Sequence, residues 1–269
     1  MSDAQSPGRP RHRAAKALRA AAAALTFLTV IPLGRRVALD GDDVANGSPL
    51  FPLVGAGIGA VSGTLAWLLG DAGGHRSPVL AAAIGVAAAA ALTGFLHMDG
   101  LADFADSYGG RTVQDRLRIM RDHSIGSYGA SALILTLLIK VAALSTVAGS
   151  TQAITIAAAA GALSRTSGAI LSMALPYARP EPGRGSLLTT SGNRARSVAV
   201  VLFAVAIAVA CLRSSLWPAT VTAILAAAVM LTLLGYTAQR RLGGVTGDVM
   251  GAASELVETT CLALLVVLR

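Results

Sequence analysis

The clearest chemical signal in the chain lies in GFLHMDGLADFADSYGGR, residues 94–111. Asp99, Asp103 and Asp106 are spaced i, i+4, i+7, which on a helix confines them to an arc of roughly 60°. Three carboxylates on one face repel one another unless a cation lies between them. Hard oxygen ligands favour magnesium, which takes one or two carboxylates and fills its shell from substrate phosphate and water. His97, beside the first aspartate, is a candidate base or hydrogen-bond partner. The helix dipole also favours acids at a helix start. That accounts for one or two aspartates, not for three on one face at the mouth of a membrane helix.

A second acidic set closes the chain. GGVTGDVMGAASELVE, residues 243–258, places Asp248, Glu255 and Glu258 within roughly 80° of one another on a helix. Glu255 and Glu258 enter an apolar stretch where an unpaired carboxylate is expensive, so each needs a ligand, water or an arginine. The candidate metal ligands are therefore Asp99, Asp103, Asp106, Asp248 and Glu255. Positive groups that could meet a phosphorylated substrate come from RIMRDHSIGSYG, residues 118–129, with Arg118, Arg121 and Asp122 as binding candidates. Arg165 sits inside an apolar stretch and needs a carboxylate or phosphate partner. Lys140 reads as a snorkelling or structurally paired cation.

The elements that must position these residues are membrane helices. Mean hydropathy is +0.65, and only 13% of residues are charged, about half the share of an ordinary soluble domain. Apolar stretches near 17–33, 49–70, 79–98, 128–148, 153–175, 197–212, 216–236 and 252–268 mostly approach the roughly 20 residues that cross a hydrocarbon core. Gly55, Gly59 and Gly63 repeat a small residue every fourth position, which is a packing face. Connections 99–127, 176–196 and 237–251 hold ten arginines and seven acids, against only Arg76, Arg213 and Asp71 in the opposite connections, so the positive-inside rule sets them in the cytoplasm. A net charge of +8 without interleaved stacking aromatics reads as that retention signal, not as a nucleic-acid surface. Cys211 and Cys261 lie in apolar runs and read as small buried hydrophobes.

The first apolar segment breaks the parity, because a full span there would export Arg9, Arg11, Arg13, Lys16 and Arg19. An interfacial or re-entrant segment ending at Pro32 keeps the N-terminus inside. The expected fold is all-α: a polytopic bundle of about seven transmembrane helices plus that segment. Residues 1–12 form a disordered basic tail and 13–269 a single transmembrane catalytic domain in the cytoplasmic membrane, with its site facing the cytoplasm. Its oligomeric state stays open, a homo-oligomer included.

The segments FLTVIP (27–32), FPLVGAGIG (51–59), HMDGLADFADSYGGR (97–111), RIMRDHSIGSYG (118–129), LSR (163–165) and GGVTGDVMGAASELVE (243–258) resemble, in the same order, the adenosylcobinamide-GDP ribazoletransferases, the membrane cobalamin synthases. The aspartate block and the GGVTGD block together are specific; either alone is weak. The resemblance implies a magnesium-dependent transferase that joins adenosylcobinamide-GDP to α-ribazole, or its 5′-phosphate, with release of GMP. It implies Asp99, Asp103 and His97 as catalytic residues, the acids as metal ligands and the arginines as phosphate clamps. Val30 stands where the family pattern leads us to expect a basic residue, which argues against a phosphate role for the first segment.

Two other readings differ in what they require. A CDP-alcohol phosphotransferase shares the Asp99-Gly100 start, but here Asp103 replaces the expected Ala-Arg and Gly110 is not followed by paired aspartates. A transporter would gather polar groups near the midplane with repeat symmetry, whereas these acids gather at one face.

Overall fold

A computed structural model of the chain describes residues 9–33, 40–70, 77–179, 181, 185–189, 194–212 and 217–269. In chain order the helices are α1 (Arg9–Leu28), α2 (Gly41–Gly47), α3 (Phe51–Gly70), α4 (Pro78–Leu92), α5 (Leu96–Asp106), α6 (Val113–Ile119), α7 (Ser127–Ser145), α8 (Gln152–Ser164), α9 (Ser167–Ala174), α10 (Ser186–Thr189), α11 (Arg194–Leu212), α12 (Trp217–Leu242) and α13 (Gly247–Val267). Among the described residues, six stretches are long and apolar enough to cross a membrane, and counting the bent pair α4–α5 as one span gives seven. The expected all-α membrane bundle is what the chain forms.

Two spans make the centre. In α8–α9 and α13, 78% and 72% of the apolar window is buried, against 22% in α11 and 28% in α7. The peripheral helices turn Leu202, Phe203, Leu135 and Leu138 outward, a surface that only lipid tolerates over such an area. Helices in lipid gain little from hydrophobic burial against each other, so close backbone packing holds them. The glycine stripe of α3 does this against α8: a Cβ on Gly59 would stand 2.0 Å from the Ala157 carbonyl oxygen. Any larger residue there would separate the two helices.

The break between α4 and α5 positions the chemistry. Gly94 and Phe95 both adopt φ +60, and the chain turns by 89°. A left-handed Phe costs energy that the surrounding structure must over-determine. The turn lays α5, with its aspartates, across one end of the bundle instead of continuing α4.

α1 does not traverse the bundle. Arg19 pairs with Asp43 at 2.5 Å, Phe27 stacks on Phe51 with ring centroids 5.5 Å apart, and the Val30 N–H donates to the carbonyl of Leu92 at 2.9 Å. The helix thus runs beside α2 and the start of α3. Of the tail expected over 1–12, residues 1–8 lie outside the described residues, and the chain is helical from Arg9.

Candidate active site

Three distant connections supply the site, and the backbone explains how they meet. Thr246 caps α13 by accepting the Val249 N–H at 3.2 Å, which fixes where Asp248 begins the helix. Just before it, Val245 donates to the Pro176 carbonyl at 2.9 Å and Ala178 donates to the Val245 carbonyl at 2.8 Å. This bridge pins the segment after α9 onto the GGVTGD loop. Gly244 permits it, since a Cβ there would stand 2.2 Å from the Pro176 oxygen. Arg179 is thereby delivered to Asp248, and the two pair at 2.7 Å. α5 then packs against α13 with Gly100 facing Asp248, where a Cβ would come within 2.8 Å of the Asp248 carbonyl oxygen. The two acidic helices therefore lie side by side, and connections 99–127, 176–196 and 237–251 share one end of the bundle.

Two cavities flank this junction, and Arg179 lines both. The larger, about 540 Å³, is open and bounded by Phe95, Asp99, Asp103, Arg121, Asp122 and His123. Asp103 lies within electrostatic range of Asp248, Asp99 and Asp106, with Arg179 as a compensating cation. The smaller, about 220 Å³, is bounded by Phe27, Phe51, Leu96, His97, Arg165, Tyr177, Leu188, Asp248 and Met250. His97 is 6% exposed and Arg165 4% exposed; Nδ1 of His97 and Nε of Arg165 and Arg179 are buried without a hydrogen-bond partner. Outside the spans, the Ser124 backbone and hydroxyl bonds hold the Asp122 carboxyl below the usual carboxylate range, and burial raises the Tyr177 hydroxyl above its ordinary value.

The sequence candidates divide among several roles. Asp99 and Asp103 face the large cavity, and Asp248 and His97 face the small one on the other side of the α5–α13 contact. Arg121 lines the large cavity and pairs with Glu181. Asp122 lines it while accepting the Ser124 N–H at 3.0 Å. Arg118 is exposed and lines neither cavity. Asp106 turns away: its two oxygens accept the N–H groups of Gly126 at 2.7 Å and Gly129 at 2.8 Å, so it caps α7 in place of a side chain from that helix.

Glu255, expected with the metal ligands, is held elsewhere. It pairs with Lys140 at 2.5 Å, and Glu258 pairs with Lys140 at 3.0 Å and with Arg165 at 3.1 Å. Two cations and two anions thus close on themselves inside the bundle, because a carboxylate buried there finds no water and must take the nearest cation. Arg179 does not stand out in the sequence, where it is one loop arginine among many and nothing local separates a clamp from an orientation charge.

Among the described residues, no three His, Cys, Asp or Glu side chains stand close enough to enclose a metal unaided. Magnesium does not require that. Asp99 and Asp103, with a partly compensated Asp248 nearby, suit an ion that draws its other oxygens from a substrate diphosphate.

Comparison with known proteins gives the family. The family model described as cobalamin-5-phosphate synthase matches residues 20–266. The chain is 36% identical over 237 residues to adenosylcobinamide-GDP ribazoletransferase of Chlorobaculum tepidum, covering 87% of this chain and 90% of that protein. It is 36% identical over 247 residues to the same-named protein of Prosthecochloris aestuarii, covering 90% and 96%. It is 37% identical over 240 residues to that of Klebsiella pneumoniae subsp. pneumoniae, covering 88% and 94%. No solved structure matches the chain. A match across nearly the whole chain, with both acidic blocks inside it, makes this chain a member of the cobalamin-5-phosphate synthase family.

Proposed function

We propose that this protein joins adenosylcobinamide-GDP to α-ribazole and releases GMP. The observation that carries the chemistry is the meeting of Asp99, Asp103, Arg121 and Arg179 around one open cavity with Asp248 adjoining it. A ribose hydroxyl of α-ribazole attacks the phosphorus nearer the cobinamide. The new O–P bond forms as the diphosphate bridge breaks, and GMP carries away the bridging oxygen. Phosphoryl transfer of this kind asks for positioning and for charge stabilisation, with little covalent help from protein.

Each side chain then has its own role. Arg121 and Arg179 bind diphosphate oxygens, and their guanidinium forks match that geometry. His97, with Nδ1 buried and unpartnered in the lining of the small cavity, takes the proton of the attacking hydroxyl. Asp99 and Asp103 would hold magnesium, which when bound would supply positive charge to the diphosphate. The site faces the cytoplasm of the cell membrane, in line with the basic connections around it.

Protein purified in detergent should release GMP when given both substrates and magnesium, and chelation should stop it. No GMP under these conditions would refute the reading. For orientation, Thr112→Cys should resist a membrane-impermeant thiol reagent in intact cells and react once the membrane is opened. Labelling in intact cells would reverse the topology.

A further inference from the structure

The two cavities differ in kind, and that difference assigns the substrates to them. We infer that the small cavity receives the benzimidazole ring of α-ribazole, while the open one receives the diphosphate of the other substrate; this rests on the reaction proposed above. The small cavity is mostly apolar. Phe27 and Phe51 stack to form one wall, and Leu96, Leu188 and Met250 supply much of the rest. At about 220 Å³ it accommodates a flat bicyclic ring but not a corrin macrocycle with its amide side chains.

Its few polar atoms fit the same ligand. Nε of Arg165 is buried without an acceptor, although the guanidinium is otherwise anchored through Nη1 to Glu258 and Ser164. The benzimidazole of a riboside carries one unsubstituted ring nitrogen, an acceptor, on an otherwise apolar bicycle. A mostly apolar slot with few polar side chains suits that pattern better than a purine, whose extra amino and carbonyl groups need more partners. With the ring there, the ribose emerges beside His97 and Arg179, next to the diphosphate. α1 contributes Phe27 to the wall of the ring's cavity.

Gly168 offers a clean test. It lines this cavity, and a Cβ on it would meet only Leu188 and Met250 side-chain atoms at 3.6 Å or more, so a larger side chain enters the cavity without striking backbone. Gly168→Leu should raise the KM for α-ribazole roughly tenfold or more, the scale of a methylene or two displaced from an apolar pocket. The KM for adenosylcobinamide-GDP should change by less than about twofold. Equilibrium dialysis of labelled α-ribazole against nanodisc-embedded protein, without the second substrate, should show the same loss of affinity. Gly168→Ala, which makes only ordinary contacts, should shift both readouts in the same direction by less and serves if the leucine variant does not fold. Unchanged α-ribazole binding in a folded Gly168→Leu protein would overturn the assignment, as would a rise confined to the KM of adenosylcobinamide-GDP. So would a co-purifying lipid, seen by native mass spectrometry, that Gly168→Leu expels while α-ribazole binding persists. Should wild-type protein bind α-ribazole through this cavity yet release no GMP, the reaction falls and the cavity assignment stands.

Discussion

Two groups of buried or half-buried charges in this bundle use the same residue types to opposite ends. In the interior, Lys140, Glu255, Glu258 and Arg165 balance two against two, with contacts of 2.5–3.1 Å. At the end of the bundle, Asp99 and Asp103 border an open cavity, with Arg179 in its wall and paired to Asp248 behind it. The interior set is complete, and any further ion would have to break it. The end set carries an excess of negative charge that a bound cation would relieve. Neutrality within the protein marks structure here; a charge imbalance facing a cavity marks a site.

The largest effect should come from breaking the complete set. Lys140→Met leaves two carboxylates buried with one arginine and should cost about 3–5 kcal/mol, measured as thermal unfolding in detergent. The paired change Lys140→Met with Glu255→Leu leaves Glu258 with Arg165 and should recover most of that loss. If the double variant is no more stable than the single one, the set is not a self-contained balance.

The incomplete set should respond in activity instead. Asp103→Ala and Asp99→Ala should each lower GMP release by about 100-fold or more with the melting temperature nearly unchanged. Near-normal turnover at limiting magnesium would remove these residues from the metal. Arg179→Ala should act less strongly, by about tenfold and mainly on the KM of adenosylcobinamide-GDP, since it takes away one phosphate clamp while Arg121 remains.

The smallest effect sharpens the boundary between the two groups. Asp106 belongs by sequence to the aspartate triplet and by contact to the N-terminus of α7. Asp106→Ala should therefore cost about 1 kcal/mol of stability, as the loss of a helix cap does, and leave turnover within a few-fold. A collapse of turnover that excess magnesium rescues would return Asp106 to the metal.

The sequence by itself determined the solvent, the helices and the end of the bundle where chemistry gathers. Apolar length and arginine placement are local quantities, and a bilayer converts them directly into spans and connections. It also singled out Asp99, Asp103 and Asp248 as candidates, because their spacing and their cost near lipid are legible residue by residue. Which carboxylate meets which cation was decided only by the tertiary structure. Glu255 lies seven residues beyond Asp248 on one helix, close enough in angle to suggest one cluster, yet about 10 Å of helix rise separates them. That rise carries Glu255 down to the level of Lys140, 115 residues away in sequence. Asp106 is likewise diverted by the start of α7, and Arg179 is promoted from a loop charge by a two-bond bridge to Val245. Charge pairing depends on distances of a few ångströms between helices, and helical periodicity fixes direction within a helix but not the neighbour it faces.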